Sequence, residues 1–181
     1  MLFKVVTPTL PRLDEVTYDT LVLSHFADER PLRGVGGLVD WRLNGTFSRL
    51  MLDGRLTGAW GEQLLYPQAL RLPFRKIVVF GLGDRDKYGS TRFKEVASRM
   101  LRTLMRLECT SFATALPGRS SLKLVPRQLI DLWLGEFQKA IVATRYADLA
   151  VDIGFLEPQD VQGEISESLT AFARQHAQRG S

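Results

Sequence analysis

Cysteine is almost missing from this 181-residue chain. Cys109 stands alone, so no internal disulfide can form and a reducing, cytoplasmic setting is the expectation. Histidine is nearly as scarce. His25 and His176 lie far apart, and neither has a Cys or carboxylate at ligand spacing, so no zinc site is expected. With two histidines and no G-x-S-x-G there is no identifiable Ser-His-Asp set. Long hydrophobic runs are also lacking. Nothing approaches the roughly 20 apolar residues needed to span a bilayer, and Met1–Val6, interrupted by Lys4, is too short and too charged for a secretion signal. No membrane association is expected. Repeats, low-complexity tracts and linkers are absent as well, which predicts one domain over residues 1–181, a size one hydrophobic core can fill.

What is present suits a packed globular chain. Hydrophobic residues make up 45% and charged residues 24%, which excludes disorder as the main state. The formal net charge of +4 permits weak anion attraction and permits nucleic-acid binding without indicating it. Apolar runs bounded by turn residues alternate with helical periodicities, predicting a layered α/β domain. Strands are expected at Leu2–Val6, Thr20–Phe26, Gln63–Tyr66, Lys76–Gly81, Ser111–Leu116 and Leu149–Leu156. Their apolar runs are continuous rather than alternating, which suggests a sheet covered on both faces, with Ile77–Phe80 central. In Ser90–Leu107 the stripe Phe93, Val96, Ala97, Met100, Leu101, Leu104 marks an amphipathic helix, with Ser90 or Thr91 as its N-cap. Pro126 opens a second helix, and a third is expected to begin at Pro158. Shorter helices are expected at Gly36–Leu43 and Thr46–Leu52, on either side of Asn44-Gly45.

One stretch, Asp19–Asp86, carries a recognisable order of motifs. Leu38-Val39-Asp40 is followed by Gly45-Thr46-Phe47-Ser48-Arg49-Leu50, then by Gly58-Ala59-Trp60-Gly61-Glu62, then by Val79-Phe80-Gly81-Leu82-Gly83. This order resembles the N-terminal, non-catalytic domain of the cytosolic leucyl aminopeptidase family. The resemblance continues through the 90–107 helix to Leu116-Pro117-Gly118 and is loose beyond Ser120. It implies a three-layer α/β/α sandwich with a mostly parallel mixed sheet, related to macro domains. It also implies a capping and positioning role, because in that family a C-terminal domain carries the two metals. Two-metal hydrolysis needs clustered carboxylates holding ions about 3.5–4 Å apart. Neither of the family's metal-binding motifs, one like N-T-D-A-E-G-R-L and one before F-D-S-G-G, occurs in this chain. The acids at Asp14-Glu15, Asp28-Glu29, Asp84, Asp86, Glu164 and Glu167 are dispersed and read as a solvated surface. The expectation is therefore a stand-alone non-enzyme with no cofactor and no metal: an interaction module whose partner is itself, or a full-length or catalytic-domain aminopeptidase.

Two glycine-bearing loops support an alternative. Gly34-Val35-Gly36-Gly37 precedes a helix, where backbone N–H groups can approach a phosphate. It is similar to the loop that cradles ADP-ribose in macro domains. Gly118-Arg119-Ser120 follows a strand, at the usual ligand edge of open α/β sheets. Gly34, Gly36, Gly37, Gly118, Arg119 and Ser120 are thus the candidate residues for a small anionic ligand, against the plainer reading that both loops only turn the chain. Arg92, Arg99, Arg102 and Arg106 fall near the outer face of the 90–107 helix, a row that suits phosphate contacts and a solvated face equally. Trp41, Trp60 and Trp133 read as core or interface anchors. His25 is expected to hydrogen-bond locally, and Cys109 to fill a small core space.

Overall fold

The computed structural model describes residues 1–67, 71–143 and 150–177. Six strands form one mixed sheet: β1 (Leu2–Val6), β2 (Thr20–His25), β3 (Gln63–Pro67), β4 (Lys76–Gly81), β5 (Ser111–Thr114) and β6 (Asp152–Leu156). Their order is β1-β6-β5-β2-β4-β3, parallel throughout except for β3, which runs antiparallel to β4. The strands are those the apolar runs predict: β1 and β4 keep their expected bounds, β2, β5 and β6 are shorter, and β3 extends one residue further to Pro67. Leu149 lies outside the described residues. β4 is paired on both sides and almost wholly buried, yet β5 and β2 hold the centre, because among the described residues the short antiparallel β3 is the only strand beyond β4.

Six α-helices cover the two faces: α1 (Leu10–Glu15), α2 (Gly34–Arg42), α3 (Thr46–Leu52), α4 (Ser90–Arg106), α5 (Pro126–Val142) and α6 (Gln162–Ala177). Strand periodicity divides the core. Val22, Val78 and Phe80 point toward α4, α5 and α6, where they meet Phe93, Met100, Trp133, Phe137 and Ile165. Leu21, Leu23, Ile77 and Val79 point the other way, onto Leu13 of α1, Val39 of α2, and Phe47 and Met51 of α3. This is the α/β/α sandwich that the resemblance implies.

Several local expectations change. α1 is unforeseen: Pro11 sits in its first turn, where a missing N–H costs nothing, and Thr9 caps it through Arg12 N–H. The residue ahead of α4 is Gly89, with no side-chain cap, and Ser90 is already helical. α2 begins at Gly34, two residues earlier than its apolar residues suggest. The last helix is preceded by a 3₁₀ turn at Gln159–Val161 before α6 proper starts at Gln162. Among the described residues no helix is long and apolar enough to cross a membrane.

Candidate functional site

The motifs that carry the resemblance hold backbone in place. Asp40, buried in α2, reaches across the turn to the start of α3. Its Oδ1 accepts from Phe47 N–H at 2.7 Å and Ser48 N–H at 3.2 Å, and its Oδ2 accepts from Ser48 Oγ at 2.5 Å. The free N–H groups of a helix start need such an acceptor. Gly45, the residue ahead of α3, has no side chain to offer one. Arg49 closes the same turn by donating to the Asn44 carbonyl at 2.6 Å. Glu62 does the equivalent for the loop before β3, accepting from Thr57 N–H at 3.0 Å and Gly58 N–H at 2.6 Å. Gly81 is obligatory for steric reasons: a Cβ there would lie 2.0 Å from the Ala59 carbonyl oxygen.

A cavity of about 510 Å³ opens at the carboxyl ends of the parallel strands. Loops after β2, β5 and β6 and the start of α2 line it, and Gly34, Gly36, Gly118, Arg119 and Ser120 are all in its wall. Gly37 is not. A Cβ on Gly37 would meet the Leu32 carbonyl oxygen at 2.8 Å, and the residue faces a separate hollow beside Trp41 and Arg42. Gly118 has φ +63°, and a side chain there would collide with the edge-to-face pair Tyr88 and Phe26. Tyr88 is fixed by donating to the Pro117 carbonyl at 2.8 Å, and burial raises its pKa.

The cavity brings its own acids to its arginines. Glu157, directly after β6, is almost completely buried. It accepts from Leu116 N–H at 2.6 Å and from Arg119 Nε at 2.8 Å. Burial pushes its carboxyl above the ordinary value, while the Leu116 amide and the Arg119 charge pull it back. Glu29 accepts from Arg33 N–H at 3.0 Å and faces Arg85 Nη2 at 3.3 Å. Arg85 also lies over the Phe26 ring at 4.2 Å and donates to Asp28 and Ser121. Glu29, Arg85 and Glu157 are not among the residues that the sequence singles out. Glu29 sits in an acidic pair that reads as solvated surface, yet its side chain is only 12% exposed. The one available signal was a glutamate between an apolar strand and Pro158, a position where a carboxylate must find partners as the strand end is buried.

The remaining candidates stand apart. His25 is 1% exposed and interacts locally with the Phe26 backbone, as expected, but neither ring nitrogen makes a hydrogen bond of full geometry among the described residues. Desolvation lowers its pKa, and Glu29 and Glu62 oppose that shift. His176 instead stacks on Phe172 and contacts Gln138. Cys109 is buried, with Thr20 Oγ1 donating to its sulfur at 3.3 Å. Trp133 is a core residue, Trp41 is 65% exposed, and Trp60 is half-buried. Among the described residues no group of three or more His, Cys, Asp or Glu is placed to hold a metal ion.

The sequence profile described as the cytosol aminopeptidase family, N-terminal domain, matches residues 22–128, more than half of the chain. The chain belongs to that family. Two relatives named probable cytosol aminopeptidase illustrate the extent. One from Geobacter is 31% identical over 102 residues, covering 56% of this chain and 20% of its own length. One from Thermosynechococcus vestitus is 30% identical over 79 residues, covering 44% and 16%. The chain therefore spans about a fifth or less of these aminopeptidases. Solved structures share the fold at low identity. A Trypanosoma brucei macrodomain in complex with ADP-ribose has a TM-score of 0.69 at 15% identity, covering 92% of this chain and 68% of that one. A mutant tomato leucine aminopeptidase has a TM-score of 0.59 at 14% identity, covering 96% of this chain and 36% of that one.

Proposed function

We propose that this member of the cytosol aminopeptidase family is a non-catalytic interaction module, associating with itself or with an aminopeptidase that carries the catalytic half. The observation that carries this reading is the engagement of the motif side chains. Asp40 and Glu62, the acids of the shared motifs, are engaged by the chain's own backbone N–H groups and hydroxyls, with bonds to both oxygens of each carboxylate. A carboxylate so engaged holds a turn and is not free to bind a metal or move a proton. What the family segment contributes is shape. Sedimentation of the purified chain, alone and mixed with a full-length cytosol aminopeptidase, tests this. Self-association or a complex of fixed stoichiometry in the micromolar range is expected. A monomer at every concentration that never co-sediments would contradict it.

A second reading is a pocket for ADP-ribose or another nucleotide, and one feature favours it. Arg119 uses only Nε on Glu157, so its two terminal nitrogens carry no hydrogen bond among the described residues, and they share the cavity wall with the N-terminal turn of α2. A pyrophosphate between them would receive paired donors from the guanidinium and from backbone N–H groups. Calorimetric titration with ADP-ribose decides it. Binding should weaken on Arg119→Ala, which removes the fork, and on Gly36→Val, whose side chain crowds Leu32 and disturbs the first turn of α2. Absence of heat at millimolar ligand, or indifference to both substitutions, would leave the cavity a packing feature.

A further inference from the structure

β3 is an edge strand. Among the described residues only β4 pairs with it. The Glu62 carbonyl accepts from Gly81 N–H at 2.9 Å, which places the pair 62 and 81 in the hydrogen-bonded class of an antiparallel ladder. Bonding alternates along such a ladder, so residues 64 and 66 turn toward β4 while Gln63 and Leu65 turn their N–H and C=O groups outward. The open edge therefore presents donors and acceptors at 63 and 65 and ends at Pro67, which has no N–H. Leu65 is 49% exposed beside it.

A row of cations runs along this edge. Arg92, Arg99 and Arg106 recur every seven residues of α4, about 10 Å apart along one side of the helix. Arg92 and Arg99 both lie over the Trp60 ring, at 4.8 and 4.7 Å from its centroid, shortly before β3. Thr103, between Arg99 and Arg106, donates to Gln63 Oε1 at 2.8 Å, so this part of the helix meets the start of the strand. Among the described residues no carboxylate lies within ion-pair distance of Arg92, Arg99, Arg102 or Arg106. An open strand edge gives affinity through main-chain bonds, and flanking side chains select the sequence that adds to it.

We propose that the β3 edge is a docking site for an extended acidic segment of a partner protein, which adds as a seventh strand against Gln63 and Leu65 while its carboxylates meet Arg99 and Arg106. The acidic chemistry follows from the unpaired arginines, and the extended form from the open edge. A nucleic-acid strand would use the row and Trp60 but not the edge amides. The proposal names a surface and a partner chemistry for the interaction module, and its test needs no aminopeptidase, so it fails separately from that reading.

The probe is a short synthetic peptide alternating glutamate and valine, titrated into isotope-labelled full chain. A lysine–valine peptide and a thymidine oligonucleotide serve as controls. Saturable binding of the acidic peptide alone is expected, with slowed hydrogen exchange at the Gln63 and Leu65 amides and weakening as salt is raised. Arg106→Glu, on an exposed position, should weaken it by roughly tenfold through charge repulsion. Leu65→Pro should abolish it while leaving the ladder to β4 intact, since the lost N–H points outward. No binding at millimolar peptide, binding unaffected by Arg106→Glu, or an oligonucleotide response with the edge amides unprotected would each overturn the proposal.

Discussion

At the level of single residues, the family motifs are explained by backbone groups that would otherwise be left unbonded. Asp40 is the clearest case. It does for α3 what an N-cap side chain does, but from the preceding helix, because Gly45 occupies the cap position with φ +71°. Capping residues are worth about 0.5–2 kcal/mol, and a buried donor left without an acceptor costs about 1–3 kcal/mol. Asp40→Ala strips Phe47 N–H and Ser48 of their acceptor together, so a loss of about 2 kcal/mol is expected, read as a lowered urea midpoint with unchanged slope. Asp40→Asn, which keeps one acceptor oxygen, should recover about half of it. A variant as stable as the parent would mean that water replaces the carboxylate there.

Among the elements, those with a long periodic signal were readable from sequence. The Phe93-to-Leu104 stripe set α4 to within a residue, and the run Lys76–Gly81 is β4 as it stands. Elements with little periodicity were less so. α1 is a single short helix with two prolines nearby, and its one fully buried residue, Leu13, gives no pattern. The start of α2 at Gly34 was not legible because glycines supply no apolar marker, and Gly34 enters the helix with φ +54°. The cavity shows the same division. Its glycines and Arg119 were legible because loop chemistry is local. Glu29, Arg85 and Glu157 were not, because their pairing joins segments that only the sheet order brings together, Arg85 lying 56 positions after Glu29 and Glu157 lying 38 after Arg119. Gly37 shows the reverse error: its local sequence suggests a phosphate loop, and the Leu32 carbonyl explains its lack of a side chain.

The whole molecule joins a macrodomain-like sandwich to the N-terminal sequence of the cytosol aminopeptidases. On the proposed reading, the shared segment carries architecture and no metal-dependent chemistry. The motif carboxylates Asp40 and Glu62 are bonded to main chain, and the strand-end cavity pairs Arg85 and Arg119 with its own glutamates. On the proposed readings, a ligand would be met by the Arg119 terminal nitrogens, which carry no hydrogen bond among the described residues, and a partner by the arginine row beside β3. The most direct test is hydrolysis of a leucyl anilide by the purified chain in the presence of manganese or zinc, with bound metal measured on the same sample. The account predicts a rate equal to the buffer blank and no stoichiometric metal. Turnover that is abolished by a chelator, together with one or more metal ions retained per chain, would contradict it.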